Sequence, residues 1–213
     1  MIFDLDGVLA DSEPIHAQAW IDTVVKTYGK KLPLDLMATA IGTPDKIFAE
    51  KLRMRIGVAA SPADFIHEKK RKFFESLRKS GLQAKPGALH LVERLRARRI
   101  PIAVASGSGR AEVGTSLRIM GLLPRLQFYL AHEDVAFRKP HPQIYLDAAR
   151  RLRVPSSSCL VFEDSPTGLR SAWEAGCVCF GVLGSYPRPI LKPAHGILDS
   201  LSEKGPLRPY LKV

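Results

Sequence analysis

The chain has 213 residues, 46% of them hydrophobic, with 32 Lys and Arg against 21 Asp and Glu for a formal charge of +11. That length suits one good-sized core, or a core carrying a smaller inserted unit, in a soluble globular protein. No apolar run approaches the 18 residues of a membrane span, and the start Met1-Ile2-Phe3-Asp4 lacks the basic and apolar regions of a secretory leader, so a cytoplasmic protein is expected.

The basic excess attracts anions in general. Its two clusters, Lys69 to Lys72 and Arg94 to Arg99, fall in helical patterns without interleaved aromatic residues. Nucleic-acid binding is therefore not expected. Cys159, Cys177 and Cys179 are an odd set without framework spacing, and they read as reduced, buried thiols.

In chain order, Met1 to Leu5 reads as a short buried strand that ends in carboxylates. Helical periodicity follows from Pro14 to Tyr28 and from Pro44 to Arg55. Ser61-Pro62 opens a further helix, with Ser as N-cap and Pro at the first position, and Gly81 stops it. Residues 13–83 thus read as all-helical. Beyond them helix and strand alternate. A helix around Leu89 to Leu95 precedes the strand Ile102 to Ala105. The helix Gly109 to Met120 precedes the strand Phe128 to Ala131. The helix Pro142 to Leu152 precedes the strand Cys159 to Phe162. The helix Pro166 to Ala175 precedes the strand Val178 to Val182. The proline-bearing stretch 185–195 reads as an irregular surface path, with Ile197 and Leu198 as a last short strand. This alternation predicts an α/β fold, a doubly wound parallel sheet, with residues 1–12 and 84–213 as the core and 13–83 as a helical insertion.

In open α/β sheets ligands bind at the carboxyl ends of the strands. Those ends carry Asp4 and Asp6, then Ser106, Gly107 and Ser108, then Lys139 across a short loop, then Glu163 and Asp164. Any one of them alone is an ordinary cap, turn or surface residue. Together they bring four carboxylates, one Lys and one or two hydroxyls to one edge. Four carboxylates repel without a cation, and all-oxygen ligands suit a hard ion such as magnesium.

These residues also carry a resemblance. Phe3-Asp4-Leu5-Asp6-Gly7-Val8-Leu9 resembles the first motif of the haloacid dehalogenase superfamily. Ser106 in Val104-Ala105-Ser106-Gly107 is similar to its second motif. Lys139 in Lys139-Pro140-His141-Pro142 is similar to the third. Glu163-Asp164-Ser165, with Gly168 and Ala172, is similar to the fourth. The resemblance spans nearly the whole chain in order. It implies a Rossmann-like core with a helical cap inserted after the first motif. It implies that Asp4 is a nucleophile forming an aspartyl phosphate and that Asp6 is the general acid and base. Ser106, Gly107 and Lys139 would bind the phosphoryl oxygens. Mg2+ would be held by Asp4, the Asp6 carbonyl, Glu163 and Asp164. Asp6 sets the chain apart from the dehalogenases of the superfamily, which lack this second Asp. Only three residues precede Asp4, where relatives usually carry more, so either the first strand is short or the chain is truncated.

The stretch Asp11 to Trp20 resembles the subgroup of β-phosphoglucomutases and sugar-phosphate phosphatases. His16 falls at the cap hinge, where mutases use a His to position the general acid. An ordinary polar helix residue is the equal alternative. Mutases grip a second phosphate with an Arg shortly after the cap's Gly. Here Gly42-Thr43-Pro44-Asp45 has none, which favours hydrolysis. Lys69 or Lys72 could offer a charge to substrate from the next cap helix, against the plainer reading of a solvated face. The expectation is a Mg2+-dependent phosphatase of a small phosphorylated metabolite, a sugar or polyol phosphate. A β-phosphoglucomutase-like phosphomutase is the alternative, and a non-catalytic anion or nucleic-acid binder the remote one. Oligomeric state is not legible.

Overall fold

The computed structural model describes residues 1–37, 39–40, 43–203 and 207–211. Gly42, on which part of the cap reading turned, lies outside them. The chain forms two compact units, Met1–Asp11 with Leu82–Val213, and Ser12–Gly81. The boundaries expected from the sequence lie one and two residues further along.

The chain begins with strand β1 (Ile2–Phe3) and enters the helical unit, made of α1 (Glu13–Asp22), α2 (Leu34–Met37), α3 (Asp45–Arg55) and α4 (Pro62–Ser80). Trp20, Val24, Phe48, Ala49, Leu52 and Phe65 form its core. The Ser61 side chain accepts the Asp64 N–H at 3.1 Å to cap α4, and Gly81 ends that helix at φ 71°. The helix expected from Pro14 to Tyr28 is not uniform. After Asp22 it widens into a π-helical turn, Thr23–Thr27. There the Thr23 hydroxyl donates to the Ala19 carbonyl at 2.7 Å, and three β-branched residues in a row crowd the preceding turn.

The core continues as α5 (Ala88–Ala97), β2 (Ala103–Ala105), α6 (Arg110–Ile119), β3 (Phe128–Leu130), α7 (Gln143–Leu152), β4 (Leu160–Glu163), α8 (Pro166–Glu174), β5 (Val178–Val182), β6 (Gly196–Leu198) and α9 (Arg208–Leu211). Among the described residues the strands form one parallel sheet in the order β3-β2-β1-β4-β5-β6. Phe3 pairs with Val104 on one side and Phe162 on the other. Apart from Glu163 at the end of β4, the strands are built of apolar and aromatic residues because both faces are covered. Phe3, Val104, Phe162 and Phe180 pack on one face, and Ile2, Ala105, Val161 and Cys179 on the other. All three cysteines are free and buried. The stretch 185–195 is less superficial than expected, because Leu191 is fully buried in the second cluster.

The chain runs outward from β1 to β2 and β3, then returns to lay β4 on the other side of β1. The strand order therefore reverses at β1, and a crevice opens at its carboxyl end.

Candidate active site

Asp4 is the first residue beyond β1, anchored by its own N–H to the Phe162 carbonyl at 2.9 Å. A tight turn then carries the chain back on itself, with the Leu9 and Ala10 N–H groups both donating to the Leu5 carbonyl at 2.9 Å. Gly7 sits in this turn at φ 73°. A Cβ there would lie 1.9 Å from Asp164 Oδ2, so only glycine lets the turn meet the end of β4.

Lys139 Nζ occupies the centre. It donates to Asp4 Oδ1 at 2.8 Å, to Glu163 Oε1 at 2.5 Å and to the Ala105 carbonyl at 2.9 Å. All three donors of the ammonium are thereby used. Asp6 lies on the other side of the crevice. Its Oδ2 accepts the Ser108 hydroxyl at 2.6 Å and the Ser106 hydroxyl at 3.4 Å. Ser106 Oγ in turn accepts the Ser108 N–H at 3.0 Å, which curls the loop around Gly107. Open space lies beside the Gly107 backbone. Ser185 donates to Asp164 Oδ2.

Glu163, the last residue of β4, is fully buried. Ser165 donates to its Oε2 through both hydroxyl, at 3.1 Å, and N–H, at 3.3 Å. Ser165 also caps α8 by accepting the Gly168 N–H at 3.1 Å. A Cβ on Gly168 would lie 1.9 Å from the Glu163 carboxyl, so this glycine is what allows α8 to start against that carboxylate.

Burial pushes the Asp4 carboxyl well above the usual range. Lys139 pulls it down, while Glu163, Asp164 and Asp6 push it up further. Burial alone would lower the Lys139 ammonium, but the Asp4 and Glu163 carboxylates outweigh it and hold the ammonium above its usual value. One lysine thus faces more negative charge than it can neutralise. Asp4, Glu163 and Asp164 each offer a buried oxygen, all within 4.8 Å of one another. A hard divalent cation with oxygen ligands fits this donor set.

The structure therefore brings Asp4, Asp6, Ser106, Lys139, Glu163 and Asp164 to one sheet edge. His16, Lys69 and Lys72 belong to the helical unit. There Lys69 is 2% exposed, which removes the solvated-face reading for it. Its Nζ lies 3.1 Å from His16 Nδ1 and donates to Asp45 Oδ2 at 3.0 Å. Lys72 pairs with Glu75 at 3.4 Å. Two partners escaped sequence reasoning. Tyr145 looks like any apolar position on the buried face of α7. Ser185 opens a stretch whose prolines signal only a turn.

Comparison with known proteins agrees with this geometry. The family model for haloacid dehalogenase-like hydrolases matches residues 1–176. A phosphorylated carbohydrates phosphatase of Thermotoga maritima is 32% identical over 179 residues, covering 83% of this chain and 81% of that protein. Hexitol phosphatase A of Escherichia coli is 32% identical over 203 residues, covering 95% and 91%. The crystal structure of CbbY from Rhodobacter sphaeroides in complex with phosphate superimposes with a TM-score of 0.82 at 27% identity, covering 96% of this chain and 95% of that one. The chain belongs to the haloacid dehalogenase-like hydrolases, and within them it is a phosphohydrolase.

Proposed function

We propose that this enzyme hydrolyses a small phosphorylated carbohydrate or polyol, with Asp4 as nucleophile and Asp6 as acid and base. The observation that carries the reading is the division of labour at the crevice. Asp4 is held through Oδ1 by Lys139, whose charge favours the ionised form against burial. Asp6 is held by two serine hydroxyls. Two carboxylates in different surroundings suit two different roles.

In the first step the other oxygen of Asp4 attacks phosphorus, and the bond from phosphorus to the leaving oxygen breaks. Asp6 donates a proton to that oxygen, so the product departs as an alcohol. In the second step Asp6 takes a proton from a water that attacks the aspartyl phosphate, and Asp4 is released with inorganic phosphate. Ser106 and the Gly107 backbone bind the phosphoryl oxygens, and Lys139 exchanges one of its three bonds to join them, as charge shifts among them. Asp4, the Asp6 carbonyl, Glu163 and Asp164 would hold Mg2+. The ion would supply neutralisation of the phosphoryl charge. The relatives named for carbohydrate and hexitol phosphates support the choice of substrate class.

The test is phosphate release from a panel of sugar and polyol monophosphates, with and without Mg2+. Turnover that requires Mg2+ and is lost in Asp4→Asn supports the reading. Conversion of a hexose 1-phosphate to its isomer without net phosphate release would replace it with a phosphomutase.

A further inference from the structure

The catalytic proposal uses Lys139 and Glu163 but leaves their neighbour Tyr145 without a task. Tyr145 lies six residues after Lys139, in the first turn of α7, and is fully buried. Its hydroxyl donates to Glu163 Oε1 at 2.5 Å, the same oxygen that takes Lys139. Its ring lies under the ammonium, with Nζ 5.0 Å from the centroid. The two oxygens of Glu163 thus have two donors each: Lys139 and Tyr145 on Oε1, the Ser165 hydroxyl and N–H on Oε2. Donors on both oxygens fix the rotation of the carboxylate from the protein side.

A core tyrosine on a sheet-packing helix needs no hydroxyl for its packing. Buried among Ile2, Ala105, Ala149 and Val161, the ring alone would serve. The hydroxyl is a liability there unless it is paired. It is paired with the one fully buried carboxylate of the site.

We propose that Tyr145 is a positioning residue that aims Glu163 at the divalent cation, through the 2.5 Å hydrogen bond to Oε1. The proposal rests on the metal-dependent reading above. Partners behind metal ligands of this kind typically matter 10- to 100-fold in metal affinity.

The experiment is calorimetric titration of Mg2+ into the full chain, comparing wild type, Tyr145→Phe, Glu163→Gln and the double variant. Tyr145→Phe retains the ring, its packing and its contact with Lys139. The expected result is a roughly tenfold or greater rise in the Mg2+ Kd for Tyr145→Phe, and no further rise when it is added to Glu163→Gln. An unchanged Kd, or a loss that simply adds to that of Glu163→Gln, overturns the proposal. A Tyr145→Phe chain that no longer folds overturns it too, since the hydroxyl would then be a stability element. A wild type that takes up no Mg2+ removes both this inference and the metal-dependent reading. A wild type that binds Mg2+ but releases no phosphate removes the proposed reaction and leaves this inference to be judged by its Kd values.

Discussion

Lys69 in the helical unit is buried and Lys139 in the core is largely so, and their surroundings differ in one respect that matters. Lys69 in the helical unit has one carboxylate, Asp45, together with the ring nitrogen of His16, and lies over Trp20 at 5.3 Å. Asp45 is 38% exposed, so water shares its charge. That ion pair is balanced, one charge against one. Lys139 in the core also lies over an aromatic ring, but it is shared by Asp4 and Glu163, with Asp164 and Asp6 close by. The second cluster carries an excess of negative charge in a buried place. A balanced pair is compensated within the protein itself. An unbalanced one waits for a cation or a substrate to complete it.

The sharpest way to break this comparison is Asp4→Asn. It keeps the shape and removes both a charge and the proposed nucleophile, and it should cost about 10⁴- to 10⁶-fold in kcat for phosphate release. Melting temperature should change far less, because one of the mutually repelling carboxylates is gone. Lys139→Met is next. Removing the cation leaves Asp4 and Glu163 facing each other, for a loss of about 3–5 kcal/mol in a denaturant melt and 10²-fold or more in kcat. Added Mg2+ should recover part of that stability and little of the rate. Gly168→Ala drives a methyl into the Glu163 carboxyl, for about 1–3 kcal/mol of stability and weaker Mg2+ uptake in the same calorimeter.

Lys69→Met is the matching change in the helical unit. It keeps the apolar contacts with Trp20 and Phe73 and loses the pair with Asp45. Because Asp45 is partly solvated, the cost should be about 1–2 kcal/mol, with Mg2+ affinity unchanged. If Lys69→Met weakened Mg2+ uptake as much as Lys139→Met, the distinction between the two lysines would fail. The smallest effect concerns Asp22. Burial pushes its carboxyl up, but hydrogen bonds from Lys26 and Gln18 win and hold it below the usual 3.8. A carboxyl lowered on folding stabilises above its unfolded pKa and loses that contribution as pH falls through the folded value. Asp22→Asn should therefore lose a few tenths of a kcal/mol at neutral pH, and the loss should shrink as pH falls below the ordinary carboxyl range, read from paired melts.

Strands and helices were legible in this chain wherever one physical pattern was alone in acting. The strand residues of β2, β4 and β5 are apolar runs with no competing signal, and the Ser61-Pro62 and Ser165-Pro166 starts are caps whose chemistry is local. The π-turn after Asp22 was not legible, because the helical period survives on the residues around it while the Thr23 hydroxyl changes the backbone bonding. At the site, carboxylates at strand ends announce themselves by type and place. Tyr145 does not, since a phenol on the buried face of a helix has the same period as a phenylalanine. Its hydroxyl has meaning only once β4 has brought Glu163 beside it. Lys69 was misjudged for the opposite reason. Its neighbours Lys70 and Arg71 are exposed or partly so, and a run of four basic residues gives no hint that one of them turns inward.

The two-residue strand β1 has a consequence for how the enzyme comes into being. Ile2 pairs with Ala103 on one side and Val161 on the other, and the Asp4 N–H is held by Phe162. Asp4 leaves the ribosome well before Phe162 and Lys139, with which it will pair, and the helical unit intervenes. Contacts so distant in sequence slow folding, because a long loop must close before they contribute. During synthesis the helical unit, built from local contacts, can form early. The carboxylate cluster cannot assemble until β4 has emerged, so a nascent chain stopped short of Glu163 should carry Asp4 and still be inert.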